Sequence, residues 1–552
     1  MMRNGAMLNA YPDSLGRNLG ETAAFLSRPE LRDAFRSFYI LPSVFNTDLD
    51  HGFSVISYDL CDELATKQNL KALQDLGLDL TFDIILNHLS VLSPQFQDVL
   101  KRGDASEYRD FFIDWNRFWQ NCGPMGEDGC IHPTPDKFRA LNLRSNGLPV
   151  LMAHFPDGHE TPFWCTFYQQ KVYPVPTVFD MLEVTGYKYQ TSLRLATHIA
   201  AELQAGKTPD GIDWSGFENY REAACTWLSD HRHYLGQLDV NYTSPLVWAW
   251  YDRVMAQLAD YGASTIRLDA FTRLHKAPGR ENFMNEPETW DILERLRDMA
   301  QRHGLSVLPE MHSPYSARPH EKIAAHGGKP YDYYLPGLLL DALDTGESGY
   351  LFSWAREQLQ LDIRPVNMLG CHDGIPVRDI RGLLPDDRID GIVQRTVDRG
   401  GLRKWIYGAN PQVYQLNTTY YSALGCDDRK MLTARAIQLF MPGKPQIWYE
   451  DLLAGENDLE ALRRDPTLDE REINRRRYSL DEAEARLSRP IVKDQLKLLK
   501  MRNTHPAFAD NTAIEAEQPD PHSLKITWRS GEAYAVLEAN VAAADYHITL
   551  SD

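Results

Sequence analysis

One local pattern recurs along this chain: an amphipathic helix, a glycine that stops it, a short apolar run, and a polar or acidic side chain. Leu70, Leu73 and Leu76 fall at helical spacing before Gly77, and Leu78 to Leu86 then reads as a buried strand leading to Asn87 and His88. Ser244 and Pro245 have the chemistry of an N-cap and first helical position, and Val247, Tyr251, Val254, Met255 and Leu258 form a stripe closed by Gly262. The run Thr265 to Leu268 follows, ending at Asp269. A third copy passes through Ile292, Leu293, Leu296, Met299 and Ala300 to Gly304, then Leu305 to Leu308, then Glu310. This is the repeat of a parallel (β/α)8 barrel, whose active sites lie at the carboxyl ends of the strands.

Four apolar runs end in side chains suited to acetal chemistry: Asp83 to His88, Arg267-Leu-Asp269, Pro309-Glu310 and His372-Asp373. An acid after a strand is often only the N-cap of the next helix, and His-Asp-Gly is a common turn. Their coincidence on one barrel face instead predicts a retaining glycosyl-transfer site. In that mechanism a carboxylate attacks the anomeric carbon, while a carboxylic acid about 5 to 5.5 Å away protonates the leaving oxygen. Asp269 is the expected nucleophile, because Arg267 points to the same face of its strand and would hold it ionised. Glu310 follows Val307-Leu308-Pro309, where desolvation would raise its pKa and keep a proton for donation, so it is the expected acid and base. Asp373 would stabilise the oxocarbenium-like transition state, and His88 and His372 would bind sugar hydroxyls.

Composition sets outer limits. With 552 residues and 43% hydrophobic content, the chain can build a barrel core and further domains. A formal charge of -19 disfavours general binding to nucleic acid or anionic membranes. The first residues lack the apolar core of a leader, and no uninterrupted apolar stretch reaches transmembrane length, so a cytoplasmic location is expected. The seven cysteines are scattered without CxxC spacing, which suggests neither a zinc site nor a disulfide framework. Cys371 adjoins the proposed site and is expected to pack as a reduced core thiol.

The chain resembles the sucrose phosphorylase group within the α-amylase clan, glycoside hydrolase family 13. The resemblance rests on Tyr11-Pro-Asp-Ser14, Ile40-Leu-Pro42, Asp50-His-Gly-Phe-Ser-Val55, Asp83-Ile-Ile-Leu-Asn-His88, Arg267-Leu-Asp-Ala270, His372-Asp-Gly-Ile375, Tyr420-Tyr-Ser-Ala-Leu-Gly425 and Ile473-Asn-Arg475. It implies the same roles for Asp269, Glu310 and Asp373. It further implies that Asp50 and Arg475 close the glucose pocket, that Phe53 and Phe167 form its aromatic walls, and that Gln170 is a polar residue of the same site. Arg471, Arg476 and Arg477 are expected in a solvated basic stretch. On the acceptor side, Arg144 before Gly147-Leu-Pro149 resembles a phosphate-binding arginine, and Tyr414-Gln415 resembles the facing loop.

Two departures bear on the acceptor. Arg273 stands where the group carries an aromatic residue, and the facing loop, Pro411-Gln412-Val-Tyr414-Gln415, lacks the group's Leu-Asp. Losing an acid and gaining a base shifts the subsite toward anions, unless Arg273 lies on the surface. The excess length near Lys171 to Leu238 contains an amphipathic stripe, Leu193, Ala196, Ile199, Ala200 and Leu203, and Tyr220 to Leu235 is a candidate second helix. This insertion would cap the acceptor site, form a homodimer contact, or be peripheral.

The expected organisation is therefore a barrel (1–88, 243–373 and 429–502) carrying an inserted domain B (89–242), a smaller second insertion (374–428) and a carboxyl-terminal β domain (503–552). The expected reaction is phosphorolysis of an α-glucoside, with retention, to α-glucose 1-phosphate. The partners are a small sugar and inorganic phosphate, and no organic cofactor or metal is implied. The acceptor is left open among fructose, fructose 6-phosphate, glycerol and glycerate. A hydrolase or transglucosidase, and a non-catalytic sugar-binding barrel, are the alternative readings.

Overall fold

In the computed structural model, which describes residues 2–144, 147–406, 412–465, 468–510 and 512–552, eight short strands form one parallel sheet. They are β1 (Met7–Ala10), β2 (Ser37–Ile40), β3 (Asp79–Ile85), β4 (Ala263–Asp269), β5 (Ser306–Pro309), β6 (Tyr331–Asp332), β7 (Val366–Met368) and β8 (Lys444–Trp448). Their spatial order is β5-β4-β3-β2-β1-β8-β7-β6, a nearly closed barrel. The remaining seam, between β5 and β6, is bridged just beyond the strand ends by His312 against Tyr333, with ring centroids 3.9 Å apart.

The repeat seen in the sequence has local causes. Lys67–Asp75 starts at a Thr66/Asn69 capping box, and Pro245–Asp260 starts with proline at its first position, where no amide hydrogen is needed. The strands are buried on both faces, which is why they read as continuous apolar runs. Register then matters for chemistry: Arg267 sits opposite Asp83 on β3, and Asp269 opposite Ile85. Period two sends Arg267 and Asp269 to the same face of β4.

The additional elements surround the carboxyl ends of the strands or pack on the helices. His88–Ser90, His233–Asp239 and Gln169–Val172 form an antiparallel sheet, next to the hairpin of Val150–His154 and Glu160–Trp164. A buried network ties this region to the barrel: Lys276 Nζ lies 2.9 Å from Asp239 and 2.8 Å from Asn87 Oδ1, while Asp239 also accepts from Thr166. Asn87 is thereby structural rather than a sugar contact.

Residues 173–232 carry a separate small core in which Met181, Leu195, Ile199, Trp214 and Leu228 are buried. The expected stripe forms the helix Tyr189–Gln204. The second candidate helix is shorter than expected: it runs Arg221–Asp230, after which His233–Asp239 pairs between two strands. Strand partners from distant sequence override the local helical pattern there.

After Asp373, Ile375–Pro376, Gln412–Asn417 and Leu402–Ile406 make a second antiparallel sheet over the barrel mouth. Pro411 lies outside the described residues. At the carboxyl terminus, Ala513–Glu517, Ser523–Ser530, Ala533–Asn540 and Asp545–Leu550 form an antiparallel meander. Its buried Trp528 donates to the carbonyl of Phe440 at 2.7 Å, anchoring the sheet to the helix Asp428–Phe440. Among the described residues, no helix is long and apolar enough to cross a membrane.

Candidate active site

The polar strand ends converge on a cavity of about 300 Å³ at the barrel mouth. Asp269 is the last residue of β4, Glu310 follows β5, and Asp373 lies in the turn after β7. All three line the cavity. Oxygens of Glu310 and Asp373 and a ring nitrogen of His312 lie within 4.8 Å of one another.

Arg267 organises the floor. Its Nη1 is 2.6 Å from Asp83 and 2.9 Å from Asp269, and its Nη2 is 2.9 Å from Glu310. Asp83, fully buried below and hydrogen-bonded by Tyr39 at 2.7 Å, is raised to about 6 by burial, which outweighs Arg267. The residue after the nucleophile position, Ala270, has φ 51° and so stands in the left-handed region that disfavours a Cβ. That geometry aims its amide at Glu310 Oε2, 3.1 Å away.

The protonation pattern departs from expectation. Burial and the neighbouring Glu310 carboxylate push Asp269 well above the usual carboxylate range, against Arg267. Burial acts in the same direction on Glu310, but Arg267 and His312 outweigh it and hold that carboxyl well below the usual range. The sequence reading treated Glu310 as facing apolar neighbours and gave Arg267 to Asp269 alone. One guanidinium is shared by three carboxylates, so Asp269 does not have Arg267 to itself and Glu310 faces a cation as well as apolar neighbours.

The glucose end of the cavity differs from expectation in its arginine. Arg471, read as part of a solvated run, is only 7% exposed and bonds Asp50 and Asp373, the latter at 2.9 Å. Its Nε is held by Asp469 at 2.8 Å, and Tyr168 bonds Asp469 at 2.7 Å. Arg475 is also buried, but it donates to the carbonyl of His372 at 2.7 Å and lies under Tyr11. Arg471, four residues earlier, therefore takes the pairing with Asp50 expected of Arg475. Burial opposes ionisation of Asp373, yet His372, Arg471 and Arg475 hold it well below the usual carboxylate range.

Phe53 stacks on His372 with centroids 5.0 Å apart, and Phe167 packs on His88 at 4.8 Å, so both expected walls and both histidines share the cavity. Burial lowers His372 to about 3, leaving a neutral ring. Gly52, at φ 103°, cannot be replaced easily, since a Cβ would meet the Ser43 amide nitrogen at 2.2 Å. Gln170 does not join the site. It is exposed on the strand Gln169–Val172, opposite Leu235. Cys371 is buried, its thiol pushed up to about 12 chiefly by burial, and it donates to the carbonyl of Gly374 at 3.6 Å.

Cations crowd the opposite end. Arg273 is 4% exposed, not a surface residue, and bonds Asn142 Oδ1 at 3.0 Å. Burial, with Arg144 nearby, lowers it to about 9. Arg144 lies over Phe167 at 5.4 Å and Tyr414 at 5.7 Å, and Arg378 also lines the cavity, whereas Lys404 lies 3.8 Å from Asp469 beside Arg471. Gln415 lines the cavity and donates to Asn417 at 2.8 Å, whereas Gln412 is half-buried on its strand and away from the cavity wall. None of the described residues lining the cavity comes from 171–238.

Four convergent parts, an arginine-bound carboxylate trio, an aromatic-walled pocket, a closing arginine and a cationic outer wall, define a retaining glycosyl-transferring enzyme on an α-amylase-type barrel. No protein-family model matches the chain. It is 44% identical to a sucrose 6(F)-phosphate phosphorylase of Ilumatobacter coccineus, over 99% of this chain and 95% of that one. It is 30% identical to a sucrose phosphorylase of Streptococcus mutans, over 100% of this chain and 98% of the relative. Its fold matches the crystal structure of sucrose 6F-phosphate phosphorylase from Thermoanaerobacter thermosaccharolyticum with a TM-score of 0.81 and 30% identity, covering 100% and 96% of the two chains. The chain belongs to the sucrose phosphorylase-like family of retaining phosphorylases within glycoside hydrolase family 13.

Proposed function

We propose that this enzyme splits a sucrose phosphorylated on its fructosyl unit, using inorganic phosphate to release fructose 6-phosphate and α-glucose 1-phosphate. Asp269 attacks the anomeric carbon, and Glu310 protonates the departing oxygen of the ketose. Phosphate then displaces Asp269 from the glucosyl enzyme, with Glu310 as base. The attack requires Asp269 ionised and Glu310 protonated when the sugar lies between them. Asp373 faces the charge that develops on the ring, and Asp50 with Arg471 closes the pocket after one glucosyl unit.

Arg273 is the observation that carries the acceptor assignment. A buried guanidinium beside Arg144, with no carboxylate in salt-bridge range among the described residues, is costly unless a ligand supplies an anion. A phosphate ester does so through charge-assisted hydrogen bonds. Support also comes from the 44% identical relative, whose named substrate carries that ester. A cytoplasmic setting accords with seven free cysteines.

The test is synthesis from α-glucose 1-phosphate with fructose, fructose 6-phosphate, glycerol or glycerate as acceptor. Fructose 6-phosphate is expected to exceed fructose in kcat/KM by about 100-fold, the value of one or two charge-assisted bonds. Equal rates with the two sugars would overturn the assignment while leaving a phosphorylase.

A further inference from the structure

The site contains one ion pair with no assigned part in binding sugar. His312 follows Glu310 by two residues, and its Nδ1 lies 2.7 Å from Asp379 Oδ2. Asp379 comes from the second insertion, six residues after Asp373, and its side chain is 5% exposed. The other nitrogen of His312, Nε2, is 3.5 Å from Glu310 Oε1 and faces the cavity. Tyr333 covers one face of the ring. The ring is therefore held at three points and can move little relative to Glu310.

We propose that Asp379 is a positioning residue which, through His312, supplies the positive charge that the attacking phosphate meets beside Glu310. The inference rests on the phosphorolytic reaction but not on the identity of the ketose. The groups facing His312 are Asp379 on one side, Glu310 and Asp373 on the cavity side, Tyr333 on the ring face, and Arg267 behind Glu310. Desolvation of the inner side of the ring opposes its charge, but although the side chain is 39% exposed the carboxylates of Asp379 and Glu310 outweigh it and raise His312 to about 10. Below that value the ring is a cation with one N–H committed to Asp379 and the other aimed into the site.

The consequence is specific to one half of the reaction. In the second displacement a phosphate oxygen bonds to the anomeric carbon while the carbon–oxygen bond to Asp269 breaks, its electron pair returning to the carboxylate. The proton of that phosphate hydroxyl passes to Glu310. Bringing phosphate beside three carboxylates is unfavourable unless a cation stands next to the receiving acid, and His312 stands there. Water, being neutral, does not need it.

Asp379→Asn keeps the hydrogen bond and removes the charge. The full-length variant is expected to raise KM for phosphate about tenfold or more, with a new loss of phosphorolysis as pH rises through about 6.5, the ordinary value of histidine. Hydrolysis of the same donor without phosphate should change less than about threefold, and Asp379→Glu should restore the phosphate KM. Equal losses in phosphorolysis and hydrolysis, or an unchanged phosphate KM and pH profile, would overturn the proposal. Failure of the wild-type enzyme to use phosphate would instead refute the phosphorylase reading itself. Should the variant not fold, NMR titration of His312 in the wild-type enzyme, assigned by difference with His312→Gln, decides the matter. A ring still protonated at pH 8 supports the proposal, and a midpoint near 6.5 overturns it.

Discussion

At the glucose end of the cavity each charge has an opposite within reach: Arg267 serves Asp83, Asp269 and Glu310, and Arg471 serves Asp50, Asp373 and Asp469. The acceptor end is built the other way, with Arg144, Arg273 and Arg378 on its wall and the carboxylate of Asp379 already committed to His312. The first arrangement suits a neutral sugar, which must be oriented by fixed dipoles without drawing in counter-ions. The second lacks opposite charges for its arginines among the described residues, which is the arrangement the proposed phosphorylated donor would complete.

The strongest way to break this contrast is at its boundary. Asp269→Ala should reduce turnover about 10⁴-fold or more in both phosphorolysis and hydrolysis, because no other group can form the glucosyl intermediate. Initial rates with any accepted donor check this, and residual turnover within tenfold of wild type would remove Asp269 as nucleophile. Next in size is Arg471→Ala, which strands three partly buried carboxylates, Asp50, Asp373 and Asp469. Losing one partner of a buried pair costs about 3 to 5 kcal/mol, so kcat/KM for the donor should fall about 150- to 5000-fold, irrespective of the acceptor. Arg475→Ala in parallel should cost less, and the reverse ranking would return the closing role to Arg475.

Arg273→Tyr sharpens the other side. It should lower kcat/KM for fructose 6-phosphate about 10- to 100-fold while leaving hydrolysis of the glucosyl enzyme within a few-fold. An equal loss for fructose would show that Arg273 shapes the loop and does not read charge.

The smallest effect concerns the support of the glucose end. Glu450 accepts from the Arg476 amide at 2.7 Å and from Tyr478 at 2.7 Å, anchoring the segment that carries Arg471 and Arg475. Burial raises its carboxyl to about 8. A raised acid stabilises the fold fully below its unfolded value and loses that contribution as pH rises through the folded value. Stability should therefore decline between about pH 4.5 and 8 on this account, and Glu450→Gln should flatten that decline by about 1 kcal/mol or more. Urea unfolding at pH 5, 7 and 9 measures it, and parallel curves for the two proteins would exclude Glu450 as the cause.

Legibility in the sequence followed the range of the interactions involved. The strand-end acids were readable because Asp269 and Glu310 terminate local patterns, a glycine-stopped helix followed by an apolar run, that need no knowledge of the rest of the chain. Phe53, Phe167 and His88 were readable through motif resemblance. Arg471 was not, since its partners Asp50 and Asp373 are 421 and 98 residues away and Arg475, Arg476 and Arg477 share its composition signal. His312 was missed although it lies two residues from Glu310, because its charge depends on Asp379. A search for histidines near the acids would have found the ring, though not its protonation. Gln170 failed for the opposite reason: it sits beside a correct wall residue but turns outward on its strand.

The sequence alone determined the barrel and the placing of three acids at the ends of its strands, since periodicity and residue type suffice for each, while the expectation of an acceptor site shifted toward anions came from the family resemblance. Tertiary structure decided which arginine pairs with Asp50, how one guanidinium is shared among three acids and which histidine is paired with Asp379. Those outcomes depend on distances between residues far apart in the chain and on burial, and an electrostatic interaction has no magnitude until both are set.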